Sequence, residues 1–267
     1  MEWSSLSSMS EELQLRTHGD PSCPTLIYLP GLHGDWTLVG SFRRALDNRV
    51  RFIELTYPRT TEWSLDDYAA GIETALEKNG ITRGWLLGES FGSQVAWALL
   101  SREKFQTEGV VLAGGFVRHP AHWAIRGVER ICGGISLSVV ARLIFAYEMV
   151  ARIRFRHSPE ILANLDEFVA RRTEPDRQAA KHRLRLVAQY DPRPIAQRTK
   201  VPVYAITGFV DPIVPWVLVR PWLRRHCPAL RDYRISWRAD HMVLGTAADV
   251  AADQVVRWIG QSQSAQP

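Results

Sequence analysis

The stretch GESFG, residues 88–92, places a serine between two glycines where an apolar run gives way to a helical pattern. Gly88 and Gly92 stand two positions on either side of Ser90. A sharp turn from a strand into a helix needs small residues at these positions and strains the serine backbone. The spacing therefore predicts that Ser90 is a nucleophile, although a serine can also cap a helix without any chemical role.

Asp211 and His241 are the candidate partners of this serine. A serine hydroxyl attacks effectively only when a histidine accepts its proton and a carboxylate orients that histidine. Asp211, in GFVDPIVP, comes just after one apolar run, and His241, in ADHMVLG, comes just after another. The order serine, aspartate, histidine is the one expected for a nucleophile on a strand-to-helix turn. We therefore predict that Ser90, Asp211 and His241 form a catalytic triad.

Other side chains compete for the roles of acid and base. Asp166 and Asp191 are alternative acids, but neither follows an apolar run of strand length. His33, His119 and His122 are alternative bases. His119 and His122 could face a pocket, but a structural role is the simpler interpretation of both.

Short apolar runs alternate with helical patterns along most of the chain. The runs that predict strands cover residues 25–31, 49–58, 84–89, 109–115, 201–208 and 232–237. The helical patterns cover residues 36–48, 64–80, 93–105, 215–226 and 247–260. This alternation predicts an α/β fold whose mostly parallel sheet is covered by helices on both faces. Ligands bind beyond the carboxyl ends of such strands, which is where the three predicted triad residues lie.

Residues 117–199 interrupt the alternation and are helical in character. They contain 15 Lys and Arg against 8 Asp and Glu, whereas the rest of the chain has a small negative net charge. We predict that residues 1–116 and 200–267 form the core and that residues 117–199 form an inserted helical cap. The amphipathic stretch 136–153 is expected to roof a substrate cavity, to pack on neighbouring cap helices or to touch lipid.

The three motifs above, together with the loop LPGLHGDW at residues 29–36, resemble the α/β-hydrolase superfamily of serine hydrolases. The resemblance covers nearly the whole chain. It implies an α/β-hydrolase sheet with an inserted helical cap, an acyl-enzyme formed on Ser90, and no cofactor or metal. The serine nucleophile argues against the haloalkane and epoxide branches of the superfamily, which carry an aspartate there.

The resemblance also implies an oxyanion hole made of two backbone N–H groups. Phe91, the residue after the nucleophile, is expected to supply one of them, and the loop 29–36 the other. Members of the family usually show His-Gly before the loop donor, whereas this loop reads PGL and then HGD. Leu32 is the favoured donor, because an aspartate in the alternative position, Asp35, would oppose a developing anion. His33 is predicted to contact substrate or else to hold the loop together.

These features predict a carboxylesterase that acts on small-molecule esters with small to medium acyl chains. The alternatives are a C–C bond hydrolase or lyase with the same triad, a hydrolase of carrier-linked esters or thioesters, and a non-catalytic binding protein on the hydrolase fold. The carrier alternative would use Arg152, Arg154 and Arg156 to receive an acidic acyl carrier, although solvated helix positions are the favoured interpretation of these arginines.

Composition argues against several other classes of protein. The net charge of the 267-residue chain is only +5, without a dense basic block, so nucleic-acid binding is not expected. The three cysteines, Cys23, Cys132 and Cys227, are scattered and suggest no metal site. No charge-free apolar run approaches the roughly 18 residues that a membrane span needs. The N-terminal stretch lacks the features of a secretory signal, so a cytoplasmic location is expected.

Overall fold

The computed structural model describes residues 12–123, 162–163, 166 and 173–264. The strands are β1 Gln14–His18, β2 Thr25–Leu29, β3 Arg51–Thr56, β4 Arg83–Glu89, β5 Gln106–Ala113, β6 Val203–Gly208 and β7 Leu230–Ser236. Helices span α1 Gly40–Leu46, α2 Leu65–Lys78, α3 Gly92–Arg102, α4 Glu174–Gln189, α5 Arg193–Arg198, α6 Trp216–His226, α7 Val243–Thr246 and α8 Ala248–Ser264.

The seven strands form one sheet in the order β1-β3-β2-β4-β5-β6-β7. Every neighbouring pair is parallel except β1 and β3, which run antiparallel. The last residues of neighbouring strands are in register, since Glu89 pairs with Ala113 and Gly208 pairs with Ser236. The loops that follow β4, β5, β6 and β7 therefore leave the sheet at one edge. The mostly parallel α/β sheet that the sequence predicts is confirmed.

Apolar side chains fill both faces of this sheet, which explains why its strands read as continuous apolar runs. On one face α2 and α3 cover the strands, with residues such as Ile72 and Leu99 in a single buried cluster. On the other face α1 and α8 do the same, with Phe42 and Trp258 in a second cluster. The central strand β4 is thereby shielded on both sides, and its carboxyl end is a rigid platform.

Strand β1 is an element that the sequence patterns did not predict. It is short, partly exposed and polar, and it lies at the edge of the sheet. It pairs with β3 along five residues. Two of its side chains also meet the buried carboxylate of Glu54 on β3, since Arg16 donates to it at 2.8 Å and His18 Nε2 lies 3.1 Å from it. Arg43 on α1 donates to the same carboxylate at 3.0 Å. These side chains come together only in the folded chain.

The start of α2 follows its sequence pattern closely. Ser64 accepts a hydrogen bond from the backbone N–H of Asp67 at 3.2 Å, and the Asp67 carboxylate accepts one from the N–H of Ser64 at 2.8 Å. This reciprocal capping box satisfies two backbone donors that the helix itself cannot pair.

Helix α1 begins at Gly40, four residues later than predicted.

The predicted cap, residues 117–199, lies only partly within the described residues. Its described carboxyl-terminal part consists of α4 and α5 and contains no strand. The predicted helix 136–153 and the arginines Arg152, Arg154 and Arg156 lie outside the described residues, so the cap and its boundaries stay a prediction. No helix in the described ranges is long and apolar enough to cross a membrane.

Candidate active site

Ser90 occupies the turn between β4 and α3, at the carboxyl edge of the sheet. Its φ angle is +51°, a conformation that is rare for a residue with a side chain. The Ser90 N–H donates to the carbonyl of Ala113 at 3.0 Å, and the Ser90 carbonyl accepts from the Ser93 hydroxyl at 2.6 Å. The surrounding backbone therefore holds the strained residue in place, as a nucleophile elbow requires.

The two glycines of the motif allow the close approach that this turn demands. A Cβ atom at Gly88 would lie 2.8 Å from the carbonyl oxygen of Gly92 and from the nitrogen of Ser93. A Cβ atom at Gly92 would overlap the carbonyl oxygen of Leu29, at the end of β2. The first turn of α3 thus packs directly on the loop that follows β2.

The structure brings Ser90, His241 and Asp211 together into one chain of contacts. His241 Nε2 lies 2.9 Å from Ser90 Oγ, and His241 Nδ1 lies 2.9 Å from Asp211 Oδ2. The side chain of Asp211 is fully buried and that of His241 is 8% exposed. An Nδ1–H that donates to Asp211 leaves Nε2 free to accept the proton of the serine hydroxyl.

The loop after β6 orients the carboxylate of Asp211. Its Oδ1 atom accepts hydrogen bonds from the backbone N–H groups of Ile213 at 2.9 Å and Val214 at 2.8 Å. These bonds leave Oδ2 directed at the imidazole. The neighbouring loop is tied to this one, since the N–H of Phe209 donates to the carbonyl of Ser236 at 2.8 Å. The acid and the base are therefore carried by two loops that are fixed to each other.

Two opposing effects determine the pKa of His241. Burial disfavours the charged imidazolium, but the carboxylate of Asp211 favours it by charge and by its hydrogen bond, and Glu89 and Asp240 add to this attraction. The net result is a pKa raised above the ordinary 6.5. Such an imidazole is a more effective proton acceptor once it is neutral.

The two predicted oxyanion donors lie beside this contact chain. Phe91 directly follows Ser90 at the N-cap of α3, and the loop that carries Leu32 packs on the first residue of that helix. Neither backbone N–H donates to an acceptor within the described part of the chain. That these two N–H groups form the oxyanion hole stays a prediction.

Comparison with known proteins identifies the family. A model of the alpha/beta hydrolase family matches residues 26–254, which is most of the chain. The chain belongs to the alpha/beta hydrolase family. No curated protein matches its sequence significantly.

Solved structures agree with this assignment. The hydrolase is similar to a thermophilic esterase from Thermogutta terrifontis, with a TM-score of 0.74 and 19% identity over 94% of this chain and 93% of that one. It is also similar to an enol-lactonase from Burkholderia xenovorans LB400, with a TM-score of 0.73 and 21% identity over 93% and 96% of the two chains. For an esterase from Rhodococcus sp. ECU1013 the TM-score is 0.71 and the identity 16%, over 93% and 94%. At such low identities, the structural similarity shows a shared fold and nothing further.

The alternative acids are placed elsewhere in the hydrolase. Asp191 precedes α5 and forms ion pairs with Arg118, at 3.0 Å, and with Arg193. The pKa of the Asp191 carboxyl is lowered, chiefly by its hydrogen bonds to Arg193. Asp166 is exposed.

The alternative histidines have contacts of their own. His119 Nε2 lies 3.1 Å from the carbonyl oxygen of Ile213, in the loop that carries Asp211, and His122 Nδ1 lies 2.9 Å from the carbonyl oxygen of His119. The ring of His119 therefore supports the loop that carries Asp211, whereas the ring of His122 supports the backbone at His119. Among the described residues, the histidine that lies within hydrogen-bond distance of Ser90 Oγ is His241, not His119 or His122.

The loop residues His33 and Asp35 face backbone and buried side chains. The ring of His33 packs over Gly31, with Nε2 3.4 Å from the hydroxyl of Tyr28. The carboxylate of Asp35 accepts a hydrogen bond from the N–H of Thr37 at 2.9 Å. These contacts hold the loop together, and they favour that role for His33 over contact with substrate, which stays a prediction.

Glu89 is a residue of the site that the sequence patterns did not single out. It directly precedes the nucleophile, it is buried, and it accepts a short hydrogen bond from the hydroxyl of Tyr28. Burial raises its pKa, although the hydrogen bond from Tyr28 and the charge of His241 oppose the rise. Its position in the motif is variable by definition, so only the fold shows that this carboxylate lies near the imidazole.

The described residues contain no cluster of three or more His, Cys, Asp and Glu side chains that could hold a metal.

Proposed function

We propose that the protein is a serine hydrolase that cleaves carboxylic esters with small to medium acyl chains through an acyl-enzyme intermediate. One observation carries the proposal: the imidazole of His241 lies 2.9 Å from both Ser90 Oγ and Asp211 Oδ2. This is the arrangement in which a histidine can accept the serine proton while a carboxylate holds its tautomer.

The reaction follows from these positions. His241 Nε2 accepts the proton of Ser90 as Oγ attacks the acyl carbon of the ester. The N–H groups of Leu32 and Phe91 bind the oxyanion that forms on the former carbonyl oxygen. When the tetrahedral species collapses, the C–O bond to the alcohol breaks and His241 returns the proton to the departing oxygen. A water molecule then attacks the acyl carbon while His241 accepts its proton. As the bond from that carbon to Ser90 Oγ breaks, His241 returns the proton to Oγ and the carboxylic acid leaves.

Two kinds of support favour ester bonds. The family is one of hydrolases, and the similar structures include two esterases and an enol-lactonase, whose substrate also contains an ester bond. The loop after β6, which carries Asp211, also carries the exposed apolar side chains of Phe209, Val210 and Ile213. We infer that these side chains line part of the approach to Ser90, an arrangement that would suit an uncharged acyl group.

A series of p-nitrophenyl esters with acyl chains from acetyl to dodecanoyl tests the proposal. We expect a pre-steady-state burst of p-nitrophenol that is stoichiometric with protein, followed by slower turnover. Ser90→Ala is expected to abolish the burst and to reduce turnover by roughly four orders of magnitude or more. The optimum chain length in the series measures the size of the acyl site.

Ser101→Ala is the matched control, because Ser101 is an exposed serine at the far end of the same helix α3. It should retain the burst and be labelled by a fluorophosphonate probe as the wild type is. Absence of both burst and labelling in the folded wild type would contradict the proposal and favour a binding protein. Labelling without turnover of any ester in the series would point instead to C–C bond hydrolysis.

A further inference from the structure

Arg183 is a buried cation outside the proposed triad. It lies on α4, within the segment that the sequence predicted as cap, yet it is only 2% exposed. Its guanidinium donates to the carbonyl of Leu32 at 2.8 Å, to the carbonyl of Pro58 at 3.0 Å and to the hydroxyl of Tyr68 at 3.3 Å. All three acceptors are neutral. Burying a cation among neutral groups costs free energy. The general excess of basic residues in this segment therefore does not explain why Arg183 is buried.

The loop that carries Leu32 is shaped around this guanidinium. Gly34 has a φ angle of +81°, and a Cβ atom there would lie 2.6 Å from Cζ of Arg183 and would overlap one of its nitrogens. The loop closes on itself, since the N–H of Gly34 donates to the carbonyl of Gly31 at 3.0 Å, and the carbonyl of Gly34 accepts from the N–H of Tyr57 at 2.8 Å. The guanidinium thus occupies the space in which a side chain at position 34 would lie.

Arg183 also packs on the aromatic group that surrounds the second donor. Its Cζ atom lies 5.5 Å from the ring centroid of Tyr57 and 6.0 Å from that of Tyr68. Both rings meet the ring of Phe91 edge to face, at 6.0 Å and 5.7 Å between centroids. Arg183 therefore contacts Leu32 directly, and it packs on the two tyrosines that contact Phe91.

We propose that Arg183 is a positioning residue for the oxyanion hole, an inference that rests on the proposed function. Its bond to the Leu32 carbonyl fixes the peptide plane after Leu32, and the Gly31–Gly34 turn fixes the backbone before it. Between them, these two constraints set the direction of the Leu32 N–H. The guanidinium donates to Leu32, Pro58 and Tyr68 and not to Ser90, so its proposed action is through the alignment of that donor.

Arg183→Lys is the primary test, because it keeps the charge and the aliphatic stem but cannot place separate nitrogens on the carbonyls of Leu32 and Pro58. Arg183→Gln is the second variant. Each is assayed well below its own melting temperature. We expect kcat to fall about 10- to 100-fold while KM changes by less than about threefold, because an oxyanion donor acts on the transition state.

The discriminating measurement uses two inhibitors of the whole protein. A trifluoromethyl ketone forms a tetrahedral oxyanion when a serine adds to its carbonyl, whereas the product carboxylic acid binds without one. We expect the ketone to lose affinity by the same factor as kcat and the acid to keep its affinity. A purely structural role for Arg183 would leave the ratio of the two affinities unchanged and would overturn the proposal.

Arg177→Gln is the matched control, because Arg177 lies on the same helix and forms an exposed ion pair with Glu174. It should leave kcat and both affinities within about twofold of wild type. Failure of this proposal can be told from failure of the proposed function. If wild type shows neither burst nor probe labelling, the hydrolase proposal fails; if wild type and Arg183→Lys turn over ester equally, only the role of Arg183 is refuted.

Discussion

The fully buried carboxylate of Asp211 lies 2.9 Å from Nδ1 of His241, although 30 residues separate the two in the chain. Its second oxygen is already occupied by the N–H groups of Ile213 and Val214. The carboxylate therefore cannot rotate without losing those bonds. Asp211 is held as an acceptor for one nitrogen of the imidazole, and its charge raises the pKa of that ring.

Asp211→Asn is expected to reduce kcat by roughly 10⁴-fold, because an amide that donates to the imidazole stabilises the wrong tautomer. It also removes the charge that favours the imidazolium, so the pKa of His241 falls. Activity requires neutral His241, so the acid limb of the kcat/KM profile should move to lower pH. Measurement of kcat/KM against pH checks both effects.

The matched control is Asp191→Asn, which alters the other aspartate that the sequence offered as an acid. Because its carboxylate pairs with Arg118 and Arg193 away from the imidazole, kcat is expected to stay within about threefold of wild type. A larger loss in this variant than in Asp211→Asn would reverse the assignment of the acid.

Glu89→Gln is expected to move the acid limb of the kcat/KM profile to lower pH, by less than Asp211→Asn moves it. The negative charge of Glu89 favours protonated His241, so its removal lowers the pKa of the imidazole. The effect is confined to the pH range in which Glu89 is ionised. An acid limb that coincides with that of the wild type would show that this carboxylate does not act on the base.

Gly92→Ala tests the close packing at the elbow. The added methyl group would overlap the carbonyl of Leu29, so we expect a loss of stability of several kcal/mol, at the level of severe overpacking, and a loss of activity. Gly260→Ala, on an exposed turn of α8 with nothing within 4 Å of the new methyl group, should instead stabilise the protein by about 0.5–1 kcal/mol. Urea unfolding of both variants decides the point, and equal stabilities would contradict the packing argument.

Ser64→Ala is expected to destabilise the protein by about 1 kcal/mol at neutral pH, because it breaks the capping box of α2. Hydrogen bonds to Ser64 lower the pKa of Asp67, so the contribution is present above the unfolded pKa of an aspartate and is lost as pH falls through the folded value. The difference in unfolding free energy between wild type and variant should therefore shrink on acidification. Thr74→Ala, within the same helix, should show no such pH dependence.

The sequence was informative where local pattern determines structure. All six apolar runs became strands of the sheet, because burial on both faces requires continuous apolar residues. The polar strand β1 escaped prediction because its partner Glu54 is distant in the chain, so no local pattern marks the pairing. Arg183 escaped for a similar reason: it is one of many basic residues between positions 117 and 199, and its burial comes from contacts with residues distant in the chain, such as Leu32 and Pro58.

Ser90, Asp211 and His241 follow three different strands, β4, β6 and β7, and no two of them share a segment of secondary structure. During refolding, a molecule in which β6 and β7 have not yet paired holds an ordinary, unreactive hydroxyl. The time at which that hydroxyl begins to react with a fluorophosphonate during refolding therefore reports when the last two strands dock. Labelling of Ser90 thus measures the completion of the sheet.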